Sequence, residues 1–229
     1  MKRQLSSSIR TLSLSLLFSL AGTLPGAVGL RSEVDSCQTA VAKDDGSVES
    51  GYGFVPTATT GTYVQAFDRS ELKGTHLYSV CLCFMKTRPD QDINFEVVVF
   101  GDNNGQPADE PIAIVPGSQA GVATSKKSAG EFIEVELPNV ALPKGTVYIG
   151  ARWNPSEEKF LFICNDQTES SPKTLVFFSE DQTPNWTSVL TARDPLFLPH
   201  RAIMVRANSS TRPAELKATV SSAPEPPSP

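Results

Sequence analysis

Histidine is almost missing from this chain. His76 and His200 are the only two in 229 residues, too few for a histidine-rich metal centre. His76 opens a strand-like run and His200 follows Pro199, so both read as surface or structural residues. The G-x-S-x-G elbow of serine hydrolases is lacking too. Its nearest approach, Gly117-Ser118-Gln119-Ala120-Gly121, carries serine in the wrong place and reads as a loop. Neither a phosphate-cradling P-loop nor a dinucleotide fingerprint occurs. Positive charge is short: 20 Lys and Arg stand against 25 Asp and Glu, for a net −5. Residues 1–29 hold three of those cations and no acid, so the remainder carries 17 against 25, a balance of −8. Such a surface does not attract nucleic acid or anionic lipid. Past the first thirty residues no apolar run nears the ~20 residues of a membrane span, so stable membrane insertion is not expected.

What is present begins with a leader. Lys2, Arg3 and Arg10 form a basic start, Leu12 to Ala21 is a short apolar run diluted by Ser13, Ser15 and Ser19, and Ala27-Val28-Gly29 offers small residues for cleavage. This is the pattern of a secretory signal peptide over 1–29, with a mature start near Leu30. Val34-Asp35-Ser36 before Cys37 does not suit lipidation, because Asp35 is charged. The expected location is secreted or periplasmic.

Residues 76–100 organise the rest. Tyr78, Val80, Leu82 and Phe84 alternate with Ser79, Cys81, Cys83 and Met85, and the Val- and Phe-rich run Ile93 to Phe100 follows a polar turn. The pair reads as the central hairpin of a β-sandwich. Earlier strands are expected at Gly51–Phe54 and Thr62–Phe67, and a short one at Ile112–Val115. Gly101 to Pro107 is dense in turn residues, and Gly117 to Gly130 reads as a flexible polar loop. Phe132 to Leu137 alternates strictly, with Ile133, Val135 and Leu137 inward and Glu134 and Glu136 outward. Strands over 147–153, 160–164, 174–179 and 202–206 complete about nine at roughly 8–12-residue spacing, the grammar of an all-β, antiparallel sandwich of jelly-roll type. The sandwich is expected over 48–207. A polar segment at 30–47 precedes it, and a Pro- and Ser-rich tail at 208–229, read as disordered, follows it.

Export gives the cysteines their meaning. Cys37, Cys81, Cys83 and Cys164 are an even set, for which two disulfides are the default in an oxidising compartment. Cys81 and Cys83 lie on one side of one strand, ~6.6 Å apart, whereas bridged Cβ atoms sit ~3.8 Å apart. They should not bridge each other. Two connectivities remain, each joining one of this pair to Cys37 and the other to Cys164. No C-x-x-C spacing favours zinc.

The stretches Gly51-Tyr52-Gly53, Ser79 to Phe84, Val97 to Asp102 and Val147 to Pro155 look like the jelly-roll modules of secreted bacterial proteins. These are the β-sandwich accessory domains that accompany exported hydrolases and cell-surface proteins. The resemblance covers about 48–207. It implies a non-catalytic module that binds sugars, proteins or a structural calcium ion, and it carries over no site residue.

Candidate sites follow from residue chemistry. Trp186, in the loop Gln182 to Thr187, is the first choice for a sugar-stacking platform, with Tyr52 and Tyr63 behind it. The competing reading folds Trp186 over the open end of the sandwich. Trp153 alternates with Ile149 and Ala151 and belongs in the core. Asp102, Asn104 and Asp109 crowd one loop with oxygen ligands that suit calcium, as do Asp44 and Asp45. Asn185-Trp186-Thr187 and Asn208-Ser209-Ser210 match the N-glycan acceptor pattern. No other cofactor is expected. The functional expectation is a secreted binding module for a carbohydrate or protein partner. The alternatives are a secreted hydrolase with an unrecognised site and a structural envelope component.

Overall fold

Alternating apolar residues become two opposed layers. The computed structural model describes residues 36–55, 57–86, 93–119, 130–158, 161–168, 175–180, 185–189 and 202–211. Residues 1–29, expected to be a leader, most of the expected tail and His200 lie outside them. A short helix, α1 (Ser36–Thr39), precedes β1 (Ser50–Tyr52), β2 (Gly61–Asp68), β3 (His76–Lys86), β4 (Ile93–Asn103), β5 (Gln106–Gln119) and β6 (Glu131–Ala141). Then come β7 (Thr146–Trp153), β8 (Leu161–Asp166), β9 (Val176–Ser179), β10 (Thr187–Ser188), β11 (Ala202–Ile203) and β12 (Val205–Ser210). One sheet runs β10-β9-β2-β7-β4-β5; the other holds β1, β8, β3 and β12, with β6 on β3 and β11 on β8. The described ladders are antiparallel, and the chain passes repeatedly between the sheets, as in a jelly roll. The protein is an all-β antiparallel sandwich. No helix among the described residues is long and apolar enough to cross a membrane.

The expected hairpin of β3 and β4 does not form. β3 pairs with β6, β12 and β8, whereas β4 pairs with β5 and β7 in the opposite sheet. The two strands meet through side chains: the Phe84 and Phe95 rings approach to 4.8 Å across the interior. The partners of β3 are all distant in sequence, so neighbouring strand signals could not settle them. The alternation in β3 is also broken. The ladder with β6 slips between Leu77 and Ser79, so Leu77 and Val80 are both buried while Tyr78 turns outward. Such a slip is what a β-bulge does to a strand.

β5 is longer than expected, 14 residues in place of four, and runs through Pro107, Pro111 and Pro116. It lies at the edge of its sheet, where proline is tolerated because its missing N–H can face away from the ladder. Gly117 to Gln119 is thus strand; 120–129 lie outside the described residues. The β4–β5 turn is Asn104-Gly105, with φ of 55° and 85°, the left-handed pair that a tight hairpin requires.

The inner faces form one core. Tyr63, Phe67, Val97, Val99, Val147, Ile149 and Trp153 meet Val80, Leu82, Phe84, Ile133, Ile163 and Val205. The outer face of the β2–β7–β4 sheet is apolar at one end, where Val64, Val98, Phe100, Tyr148 and Phe177 are buried.

The segment before the sandwich is integrated with it. Cys37 is disulfide-bonded to Cys81, Val41 bridges Ala207, and Lys43 pairs with Glu71. Arg206 binds Asp44 at 2.5 Å, donates to the Cys37 carbonyl at 2.9 Å, and lies 4.1 Å over the Phe132 ring. At the other end β12 continues through Asn208 to Ser210, residues whose composition resembled the tail. Buried Asn208 donates to the Ser79 hydroxyl at 3.0 Å, and Thr75 N donates to the Ser210 carbonyl at 2.7 Å.

Candidate functional site

Strand ends converge on an open cleft of about 550 Å³ at one end of the β4–β7 sheet. β4 supplies Asn94, Phe95 and Glu96; β5 supplies Pro116 to Ser118; β7 and its turn supply Arg152, Trp153, Asn154 and Glu157; Thr59 and Thr60 close one side. Because Glu96 and Arg152 are directly opposite in the ladder, their side chains share a face, and Arg152 Nε donates to Glu96 at 2.6 Å. The turn after β7 is built by Asn154, whose Oδ1 accepts from Ser156 N and Oγ at 3.0 and 2.7 Å. Glu158 then ties that turn to β4 by accepting from Asn94 N at 3.1 Å.

Phe95 and Trp153 are the apolar residues beneath these polar walls. Trp153 sits among Phe54 at 5.0 Å, Tyr63 at 6.0 Å and Phe84 at 6.1 Å. It is core, as its alternation predicted, yet its indole N–H has no hydrogen-bond acceptor among the described residues. A buried donor left unpaired costs about 1–3 kcal/mol. Within one concave space the cleft therefore offers a guanidinium, two carboxylates, two amides, three hydroxyls and an aromatic surface.

The sequence-expected platforms lie elsewhere. Trp186 is half-buried, its ring edge-on to Phe100 at 5.1 Å and its Nε1 directed at the Ala108 carbonyl at 3.4 Å. It covers the apolar end of the outer face of one sheet rather than the open end of the sandwich. Tyr52 and Tyr63 are buried and stacked at 5.8 Å. Neither presents a face to solvent. Burial pushes both phenols well above their ordinary range, and the Tyr52 and Glu180 charges add to the effect at Tyr63. Glu134 faces outward as expected and accepts from Ser79 Oγ at 2.5 Å and from Ser36 Oγ. Among the acceptor patterns, Asn185 is exposed and Asn208 buried. His76 shares a hydrogen bond with Thr75 at 3.0 Å.

The calcium candidates divide similarly. Asp102 serves its own hairpin, accepting from Gly105 N at 3.2 Å and from the Tyr148 hydroxyl at 2.8 Å. Asp109 is exposed on β5, and Asn104 donates to Asn103. Asp44 is spent on Arg206. Asp45, however, meets Glu49 and Asp166, with carboxylate oxygens within 4.8 Å of one another. Ser47 Oγ bonds Asp45 at 2.6 Å and Glu49 at 2.5 Å, while Asp45 N and Thr168 N donate to Asp166 at 2.9 and 2.7 Å. This all-oxygen set suits a hard cation such as calcium. The sequence pointed to Asp45 but not to its partners, because Asp166 is 121 residues distant.

No protein-family model matches the chain, and no curated protein or solved structure matches it either.

Proposed function

We propose that the chain is a secreted, non-catalytic β-sandwich module that binds a carbohydrate in the cleft between Thr60, Glu96, Arg152 and Asn154. The observation that carries this reading is the cleft's composition. Sugar hydroxyls both donate and accept, and they are met by a mixture of fixed donors and acceptors around an apolar floor. The exposed Ile112 and Ile114 continue along β5 from Pro116 and offer contact to sugar C–H faces. Secretion is supported by the basic-then-apolar amino terminus and by the Cys37–Cys81 bridge, which belongs to oxidising compartments. The jelly-roll resemblance agrees with a binding role.

The test is titration of the purified chain against a panel of polysaccharides, repeated with Glu96→Ala/Arg152→Ala. Removing both partners leaves no lone charge behind. The double variant is expected to bind at least ~10-fold more weakly, the ~1.4 kcal/mol of one charge-assisted contact, with unfolding unchanged. Absence of any polysaccharide ligand, or full affinity in the variant, refutes the assignment; a protein captured at the same cleft would move the reading to a protein-binding module.

A second reading, a glycoside hydrolase, rests on Glu96 and Glu157 lining one cleft, since paired carboxylates flank the scissile bond in that chemistry. Glu96 is committed to Arg152, so binding is preferred. Release of reducing sugar that Glu157→Gln abolishes would reverse that preference.

A further inference from the structure

Cys83 and Cys164 carry free, buried thiols, yet every local feature brings them together. The β3–β8 ladder pairs Met85 with Phe162 and Phe84 with Ile163. Cys83 and Cys164 follow immediately beyond the last of these pairs. There the strands part around Met204: Cys83 N donates to the Met204 carbonyl at 3.0 Å, and Met204 N donates to the Cys164 carbonyl at 2.9 Å. The Met204 backbone thus bridges the two strands beside the cysteines. Gly130 lies over the pair. A Cβ there would sit 2.2 Å from each Sγ, so the sulfurs are separated by no more than twice that distance. Cys37 and Cys81 are already joined, which leaves each of these thiols only the other.

We propose that Cys83 and Cys164 close a second disulfide when the chain folds in an oxidising compartment, tying β3 to β8 behind Gly130. The oxidant is an external disulfide, a small molecule or an oxidoreductase. One Cys thiolate attacks it and releases its first thiol; the second Cys thiolate then attacks the mixed disulfide and releases the other. Two protein thiols lose two electrons and two protons, and one external disulfide becomes two thiols. In the folded chain burial raises the Cys164 thiol far above its ordinary range, and the adjoining Cys83 raises it further. The nucleophilic thiolate is therefore scarce once Gly130 and Met204 have closed over the site, and the bridge forms during folding.

The test refolds the reduced full-length chain in a glutathione redox buffer, then alkylates it in denaturant without reductant. Cys164 stands apart from the other three cysteines on its tryptic fragment, so its state is read directly. The expected chain carries no alkyl group and is lighter than the reduced chain by the four hydrogens of two bridges. The Cys37→Ser/Cys81→Ser variant, treated alike, is expected to lose two hydrogens and to resist alkylation. Alkylation of Cys164 in the refolded wild-type chain overturns the proposal. So does a wild-type chain that keeps both thiols and retains copper(I) through them, since Met85 and Met204 adjoin the pair and would complete a soft-ligand set.

Discussion

Removing the Arg206 side chain should cost far more than a surface ion pair is worth. Its partner Asp44 is wholly buried as a side chain and Arg206 is 12% exposed, so the Arg206→Met variant strands a carboxylate away from water. Breaking a buried pair from one side costs about 3–5 kcal/mol. Loss of the contact over Phe132 adds about 0.5–1 kcal/mol. The Cys37 carbonyl also loses a donor at 2.9 Å. The expected total is about 4 kcal/mol. At a urea slope of about 2 kcal/mol per molar, the unfolding midpoint should fall by roughly 2 M. Asp44→Ala should cost about 2–3 kcal/mol, because Arg206 keeps the Cys37 carbonyl and the Phe132 ring. The double variant should cost less than Arg206→Met alone, since no lone charge is then buried, which gives a coupling of several kcal/mol. Urea unfolding followed by tryptophan fluorescence reads all four corners of the cycle. Single substitutions that each cost under ~1 kcal/mol, or a double variant that costs their sum, would refute the reasoning.

Two further outcomes are expected. Gln65 points between the sheets with Tyr63 and Phe67 and is fully buried, and neither polar atom of its amide has a partner among the described residues; Gln65→Met should therefore raise the unfolding free energy by about 1–2 kcal/mol in urea, and a loss of stability would count against the burial argument. Tyr52, Tyr63 and Tyr148 have phenols raised chiefly by burial, with Asp102 adding to the effect at Tyr148. A folded-state value above the unfolded one gives stability that is complete below pH ~10 and lost as pH rises beyond it. In a Tyr78→Phe chain, which removes the outward-facing tyrosine, tyrosinate absorbance should thus appear together with loss of β-sheet circular dichroism, and tyrosinate formed well before unfolding would contradict the buried placement.

Much of the fold was legible because burial alternates along strands whatever their partners are. Ile133 and Leu137 inward, Glu134 and Glu136 outward, and Trp153 in the core all follow from spacing alone. Pairing was not legible. β3 and β4 read as neighbours, but β3 pairs with β6, β8 and β12 and β4 with β7, all tens of residues away, while the local partner of β4 is β5, reached through the Asn104-Gly105 turn. The extent of β5 was hidden by Pro107, Pro111 and Pro116, which signal a break everywhere except at a sheet edge. The cleft was hidden for a similar reason: Asn94, Ser118 and Arg152 are unremarkable singly and become a site only when three strand ends meet. One signal was available, a lone Arg152 inside the otherwise uncharged run Val147 to Trp153. The aromatic criterion behind Trp186, Tyr52 and Tyr63 selected two core residues and one half-buried one, because ring residues are as useful to a core as to a ligand.

The three prolines of β5 bear on how this molecule behaves in company. A strand of 14 residues at the edge of its sheet among the described residues would ordinarily invite a neighbouring molecule to zip onto it, and chains so equipped tend to stack into fibres. Each proline removes one backbone donor from that strand. Crowded molecules should accordingly remain separate, and anything that does settle along that rim must grip it by side chains rather than by extending the sheet.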